Sequence, residues 1–372
     1  MTSSEVNAVL RRLARTYVAD LLRLPHASEE GVASYALRIN DTGPGVLLMS
    51  GVHSNETVTS AVLLSFAERL CDAIRYDTDI SFGTKTFTKG DVNAIMETLN
   101  ITVVPLVNPD GADWQEQVVR LWRRNRARNW DAPCQPEYDC RGVDINRNFN
   151  FLWHCGFNAS PDAWSSKYKG PAAHSEPETR NVVWLLDEDD LEIGFLLDLH
   201  ALDKTVDGLV LYPWGDAPNQ SKNPKQSFKF KPACSVVSGG KYGEYISATD
   251  EKWFKDTAKA VAEACTSSVT YTAEQSFYLY PTTGTASDYA YSRSIANGNK
   301  RQVLPLLIEA ASPFYPDPGT AQRVIDEVSA GIFAYLSQCA KLVRSRTRTS
   351  ATGKARPAPS ARRMARARAK RR

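Results

Sequence analysis

Short segments that are apolar on both faces alternate along this chain with segments of helical periodicity. Residues 193–199 (IGFLLDL) and 303–309 (VLPLLIE) are two such apolar segments. A strand without a polar face has to be buried on both sides, as in a parallel sheet covered by helices. The pattern therefore predicts a single α/β domain, with a mixed, mainly parallel, twisted sheet and helices on both faces. Segments of the same kind are residues 46–52, 100–107 and 208–212.

Amphipathic helices are predicted between these strands, over residues 57–74, 253–265 and 320–339. A further helix begins near Ser175, where Glu178 three residues later predicts a capping box. The long polar stretches 108–175 and 214–250 are expected to run over the surface. Loops of that length often build a binding site.

The two ends of the chain differ from its body. Residues 1–25 predict an amphipathic helical segment that carries arginines and lacks the apolar core of a signal peptide, so we expect a cytoplasmic location. Residues 341–372 hold 13 of the 45 Lys and Arg residues and none of the 42 Asp and Glu residues. This composition predicts a disordered basic tail over 344–372, after one folded domain over 1–343. The tail could bind polyanions, or it could be a solvated extension without a partner.

No stretch reaches the roughly 18 uninterrupted apolar residues of a membrane helix, so no membrane span is expected. The composition is that of an ordinary globular protein, with 42% hydrophobic and 23% charged residues. A chain of 372 residues is long enough to bury one large α/β core.

Two histidines lie where buried strands are predicted to end. His53 and Glu56 follow the strand at 46–52, and His200 ends the run GFLLDLH. In an open α/β sheet, ligands bind beyond the carboxyl ends of the strands. Two imidazoles and a carboxylate with one open position form the ligand set of many catalytic zinc sites. A histidine three residues before a glutamate is a weak signal alone, and a surface-loop histidine is the alternative interpretation.

The string GVDINRNFNFLW, residues 142–153, places polar and aromatic residues side by side. Asn146 and Arg147 combine an amide with a guanidinium, which can hold a carboxylate through bidentate hydrogen bonds. Asp144 could orient a metal-bound histidine through its second ring nitrogen. The string therefore predicts a carboxylate-binding segment close to the metal.

Several motifs follow one another in a recognisable order. This order resembles that of the zinc metallocarboxypeptidases of the pancreatic carboxypeptidase A and B type, over about residues 20–338. The sequence from residue 146 to residue 186 looks especially like that of the bacterial members of this family. The motifs are His53-x-x-Glu56, LWRRNR (121–126), GVDINRNFNF (142–151), GPAAHSEPET (170–179), His200, YPTTGTASDYAY (280–291) and LIEAA (307–311).

The resemblance implies a catalytic centre. It implies one zinc ion per chain, bound by His53, Glu56 and His200. It also implies that Arg123 stabilises the oxyanion and that Glu309 is the general base. A glutamate at the end of an apolar strand is suited to accept a proton near neutral pH.

The resemblance also implies the mode of substrate binding, in which the C-terminus of a peptide or protein is held. Asn146 and Arg147 would bind the terminal carboxylate, and Tyr280 would close over the bound residue. Ser287 would lie at the base of the pocket for the terminal side chain. Serine supplies no charge, so we expect neutral C-terminal residues to be preferred, apolar or aromatic ones before basic ones.

The chain also departs from the pancreatic pattern. Asn55 stands where many relatives have arginine, and Leu202 stands where the pancreatic enzymes have tyrosine. A separate pro-segment of the secreted relatives is not evident. The resemblance implies a disulfide between Cys140 and Cys155, which conflicts with a reducing cytosol.

A monomer is expected. Two other functions remain open. One is a same-fold zinc amidohydrolase of N-acyl amino acids, similar to aspartoacylase, which shares the histidine and glutamate spacing but differs around Asn146 and Arg147. The other is a catalytically inactive binding module, against which the intact His200 and Glu309 argue.

Overall fold

The computed structural model describes residues 1–128, 140–213 and 246–351. The strands are β1 (Asp20–Arg23), β2 (Tyr35–Arg38), β3 (Gly45–Ser50), β4 (Ile80–Phe82), β5 (Lys85–Phe87), β6 (Asn100–Val104), β7 (Ile193–Ala201), β8 (Asp207–Tyr212), β9 (Thr270–Gln275) and β10 (Leu304–Ala310). The helices are α1 (Ser3–Thr16), α2 (Val58–Tyr76), α3 (Lys89–Met96), α4 (Pro109–Gln117), α5 (Pro177–Asp187), α6 (Ala248–Cys265), α7 (Ser276–Leu279), α8 (Ala286–Ala296) and α9 (Pro318–Ala351).

Eight of these strands form one sheet, in the order β1-β2-β6-β3-β7-β10-β8-β9. The central strands β6, β3, β7 and β10 run parallel to their neighbours within this block. Antiparallel pairs join β1 to β2, β2 to β6 and β10 to β8, while β9 is parallel to β8. The mixed, mainly parallel sheet predicted from the apolar segments is therefore confirmed.

Helices cover both faces of the sheet. Along β3, Val46 and Leu48 pack into the core that contains α1, α2, α6 and α9. Leu47 and Met49 pack into a second core on the opposite face, which contains residues of α5 and α8. Successive strand residues point to opposite faces, so this alternation makes β3 a strand buried on both sides. It explains why the strand has no polar residue between Val46 and Met49.

The N-terminal helix is shorter than the segment 1–25 that was predicted to be helical. The helix α1 ends at Thr16, where the Tyr17 N–H bonds to the Leu13 carbonyl, and residues 20–23 form the edge strand β1 instead. The cause is pairing of β1 with β2, from Asp20 opposite Arg38 to Arg23 opposite Tyr35. Cross-strand pairing thus overrides the local helical pattern.

The helix α9 extends past residue 343, where the folded domain was predicted to end. Residues 344–351 continue the helix α9, and Arg344 donates a hydrogen bond from Nη1 to the Ala94 carbonyl, 2.9 Å away. Arginine is a good helix former, and a cation near a helix C-terminus is favourable. The remainder of the predicted tail, 352–372, lies outside the described residues, as does most of the stretch 214–250.

Three further predictions concern single features. In the described part of the chain, no helix is both long and apolar enough to cross a bilayer. The capping box at Ser175 does not form, because α5 starts at Pro177 after Glu176 and lacks a side-chain cap. Cys140 and Cys155 are both disulfide-bonded, and their pairing with each other stays a prediction.

Candidate active site

Three buried side chains converge at the carboxyl ends of β3 and β7. His53 Nδ1 lies 2.8 Å from Glu56 Oε1, and His200 Nδ1 lies 3.0 Å from Glu56 Oε2. The two imidazole Nδ1 atoms are 3.0 Å apart. Each of the three side chains is at most 4% exposed. The histidines and the glutamate predicted from the sequence are therefore brought together at one point.

A second carboxylate lies behind each imidazole. Asp144 Oδ1 is 3.1 Å from His53 Nε2, and Asp198 Oδ2 is 3.1 Å from His200 Nε2. A carboxylate at Nε2 favours the proton on that nitrogen, which leaves the Nδ1 lone pair directed at the centre of the cluster. Asp144 thus lies where the sequence predicted an orienting carboxylate.

The cluster suits a zinc ion. One donor atom from each of His53, Glu56 and His200 lies within 4.8 Å of the others. Although burial alone would raise the pKa of Glu56, the two imidazoles hold that pKa below its ordinary value. Two neutral imidazoles and an ionised carboxylate are the donors that zinc prefers, and three such ligands leave one coordination position open.

Arg123 lies at the edge of the cluster and is paired with its carboxylates. Its Nε donates to Asp144 Oδ2 at 3.0 Å, and its Nη1 lies 3.7 Å from Glu56 Oε1. Burial alone would lower the pKa of Arg123, but these carboxylates raise it. The side chain remains 24% exposed, so a fixed positive charge borders the open side of the cluster.

Glu309 stands beside the cluster because of strand register. In the parallel pair of β7 and β10, Glu309 lies opposite His200. Burial raises the pKa of this carboxyl to about 7, while His200 and Arg123 oppose the rise. A carboxyl with a pKa near neutrality can accept a proton at physiological pH and later return it.

The segment 145–147 forms a turn of 3-10 helix that carries Asn146 and Arg147 to the cluster. Asn146 Nδ2 lies 3.4 Å from His200 Nε2, and its Oδ1 accepts from the Ala286 N–H at 2.9 Å. Gly284 permits this arrangement, since its φ is +78° and a Cβ there would meet the Arg147 carbonyl oxygen at 2.1 Å. Asn146 and Arg147 are therefore fixed against the loop before α8.

A pocket of about 520 Å³, including its open mouth, adjoins the cluster. Glu309, Arg147 and Tyr280 border it, and Tyr280 is 42% exposed while Ser287 is 8% exposed. The structure therefore gathers every predicted site residue into one region. The remaining lining residues are Asn146, Leu211, Tyr212, Pro213, Ser276, Leu279, Thr282, Thr285, Asp288 and Leu307.

Sequence reasoning missed two residues of this region, Asp198 and Ser276. Asp198 had a detectable signal, because it precedes His200 by two positions on the same strand and so points to the same face. Ser276 had none, since it follows the strand β9, which is half exposed and was not predicted.

Comparison with known proteins identifies the group to which this fold and site belong. Residues 6–310 match the zinc carboxypeptidase family, and the chain belongs to that family. The family uses zinc, which agrees with the donor set of His53, Glu56 and His200.

Individual relatives support the assignment. The chain is 25% identical to mouse carboxypeptidase A4 over 269 residues, covering 70% of this chain and 52% of the relative. The chain spans about half the length of the first curated relatives that it matches.

Solved structures share the fold. The structure of carboxypeptidase A from Helicoverpa armigera has a TM-score of 0.68 and 21% identity, covering 92% of this chain and 74% of that one. A metallo-carboxypeptidase from the bacterium Burkholderia cenocepacia has a TM-score of 0.54 and 16% identity, covering 92% and 70%.

The carboxylate behind His200 yields a testable prediction. Replacing Asp198→Asn should weaken zinc binding by about 10- to 100-fold, because the orienting carboxylate sets the basicity of the ligand. Zinc affinity is measured by competition with a chromogenic chelator. The control is Asp250→Asn, a buried aspartate away from the cluster that accepts from the Tyr291 hydroxyl and Gln302. Equal zinc affinity of the Asp198 variant and the control would contradict the assigned role.

Proposed function

We propose that this protein is a zinc-dependent metallocarboxypeptidase, which hydrolyses the C-terminal peptide bond of peptides or proteins. The observation that carries the proposal is the continuity of three parts within one cleft. The His53, Glu56 and His200 cluster adjoins Glu309, and the pocket next to it is bordered by Arg147. A metal, a base and a carboxylate-binding cation are the components that such a reaction needs.

The metal centre supplies the electrophile. Zinc, when bound, lowers the pKa of a coordinated water and polarises a carbonyl group. His53, Glu56 and His200 would hold the ion, and Asp144 and Asp198 would hold the two imidazoles in position.

Asn146 and Arg147 would bind the free C-terminal carboxylate of the substrate. Burial lowers the pKa of Arg147, yet a guanidinium still stays charged at neutral pH. Its Nε and Nη1 donate to the backbone carbonyls of Asn158 and Asn146, which fixes the plane of the group. Tyr280 would close over the terminal residue from the exposed rim of the pocket.

Glu309 and Arg123 would act on the scissile bond. Glu309 takes a proton from the attacking water and donates it to the leaving amine. Arg123 lies on the open side of the cluster, where its positive charge would stabilise the oxygen that becomes negative. Because Asp144 holds its Nε, little reorganisation is needed during the reaction.

The other candidate functions are less well supported. An N-acyl amino acid hydrolase would also use the histidine cluster, but the pocket here extends past Arg147 to Ser287 and Leu211 and so offers room for a terminal side chain. An inactive binding module would not need a buried carboxyl at Glu309 beside the metal ligands.

The cytoplasmic location and the monomeric state stay predictions. Disulfides persist mainly in oxidising compartments, and the disulfide-bonded Cys140 and Cys155 therefore favour such a compartment over the cytosol.

Exopeptidase direction is tested with a blocked dipeptide that carries either a free or an amidated C-terminus. Amidation should lower kcat/KM at least about 100-fold, because the buried Arg147 then loses its charged partner. Activity should disappear with a zinc chelator and return with zinc. Equal cleavage of the acid and the amide would contradict carboxypeptidase activity.

The general base is tested with Glu309→Gln. Turnover should fall at least about 100-fold while zinc content is kept, since proton transfer by a positioned side chain contributes about that much. The control is Glu274→Gln, a half-buried glutamate on the strand β9 that does not line the pocket. A rate near that of the unaltered protein would assign the base to another residue.

The basic C-terminal residues yield a separate prediction. We propose that residues 352–372 bind polyanions, because their charge is basic throughout. Deleting them should lower the salt concentration needed to elute the protein from heparin and leave dipeptide hydrolysis unchanged. Unchanged elution would contradict the proposal.

A further inference from the structure

The pocket beside Arg147 contains two serine hydroxyls that the protein does not satisfy. Within the described part of the chain, Ser276 Oγ and Ser287 Oγ are both shielded from solvent and make no hydrogen bond. Both residues line the pocket. Most buried polar atoms of proteins are paired, so two unpaired hydroxyls in one pocket point to a ligand that pairs them.

The two serines reach the pocket from different elements. Ser276 begins the short helix α7, directly after β9. Ser287 lies in the first turn of α8, after the Thr285 cap. Gln275 fixes the position of Ser276, because its Nε2 donates to the Pro213 carbonyl at 3.1 Å. The backbone that carries the two hydroxyls is therefore fixed in position, as is required of a preorganised binding site.

The other walls of the pocket are aliphatic. Leu307 and Glu309 lie two positions apart on β10 and so point to the same face of the sheet. Leu307 is paired in register with Leu211 of β8, and Leu279 lies on the same pocket. A terminal side chain that passes Glu309 would meet a leucine-lined wall and two hydroxyls.

We propose that this pocket selects C-terminal residues whose side chain ends in a neutral amide, glutamine or asparagine, over apolar residues of the same shape. The inference rests on the proposed carboxypeptidase function and narrows its substrate class. Each hydroxyl can both donate and accept, and an amide offers a carbonyl acceptor together with an N–H₂ donor. The aliphatic walls cover the methylene stem.

The unpaired hydroxyls set the energetic difference between terminal residues. In the free protein, Ser276 Oγ and Ser287 Oγ have neither a hydrogen-bond partner among the described residues nor contact with solvent. An apolar side chain in the pocket leaves both hydroxyls unpaired, and a buried polar group without a partner is costly. An amide supplies the missing donor and acceptor. Sites that bind a polar group therefore discriminate strongly against the analogue that lacks it.

The carboxyl groups of the pocket also bear on acidic and basic terminal residues of the substrate. Asp288 lines it, but its Oδ2 accepts from Thr285 Oγ1 at 2.6 Å, at the N-terminus of α8 where a carboxylate is stabilised. An acidic terminal residue would meet Asp288 and Glu309, both carboxyl groups. A basic one is the relevant competitor, because Asp288 could pair with it.

The experiment uses the zinc-loaded full chain and blocked dipeptides that differ only in the last residue. Gln is compared with Met, and Asn with Leu, because the members of each pair match in length or branching; Lys and Arg complete the panel. At least one amide should exceed its apolar match at least about tenfold in kcat/KM. In the double variant Ser276→Ala/Ser287→Ala, the ratio of kcat/KM for that amide to kcat/KM for its apolar match should fall about tenfold or more.

The control is Ser294→Ala on the same helix α8, whose hydroxyl donates to the Tyr291 carbonyl and does not line the pocket. It should keep the ratio of the unaltered protein. The inference is overturned if neither amide exceeds its match, if the advantage survives in the double variant, or if Lys or Arg is the best substrate. In these cases the proposed function stands, whereas hydrolysis of no dipeptide at all would overturn the proposed function itself.

Discussion

The parallel register of β7 and β10 is the constraint on which the site depends. It sets Glu309 opposite His200, so that a carboxyl group and a metal ligand become neighbours although more than a hundred residues separate them in the chain. A shift by one residue would turn Glu309 to the other face of the sheet. The register is held by strands that are buried on both faces, which leaves no alternative pairing that keeps their apolar residues inside.

Charge balance is the second constraint. Among the described residues, the carboxyl groups of Glu56, Asp144, Asp198 and Glu309 share this region with two guanidinium groups, those of Arg123 and Arg147. Buried like charges are costly unless cations compensate them, and a bound divalent cation is the largest local charge in such a site. Asp144 takes part in two of these interactions, since one oxygen faces His53 and the other accepts from Arg123.

Much of the fold and of the metal centre follows from the sequence, for a physical reason. Strands such as β3 and β10 have no polar face, and the ligands His53 and His200 lie directly at strand ends, so both are detectable from local pattern. The edge strands β1 and β9 were missed because half-exposed strands lack that pattern.

Burial of polar side chains in loops was not predictable either. The stretch 108–175 was expected to be a surface excursion, yet Asn108, Asp110 and Asn125 are fully buried. Three of the hydrogen bonds of the Asn125 side chain reach distant residues: its Nδ2 donates to Glu176 and Glu178, and its Oδ1 accepts from the Val143 N–H as well as from the nearby Ala127 N–H. This also explains the failed capping box, because Glu178 points at Asn125 rather than back along its helix. Such partners depend on tertiary contact, and local spacing does not encode them.

The close approach at Gly284 has a consequence for how this protein can change in evolution. The Gly284 N–H and carbonyl bond to Phe151 and Phe149, and its α-carbon packs against the Arg147 carbonyl. The turn that carries Asn146 and Arg147 is thereby held against the start of α8. The pocket cannot be widened by moving the loop before α8 without displacing that turn. The shape of the pocket can therefore change through exchange of side chains such as Ser287, while the backbone around them is inherited unchanged.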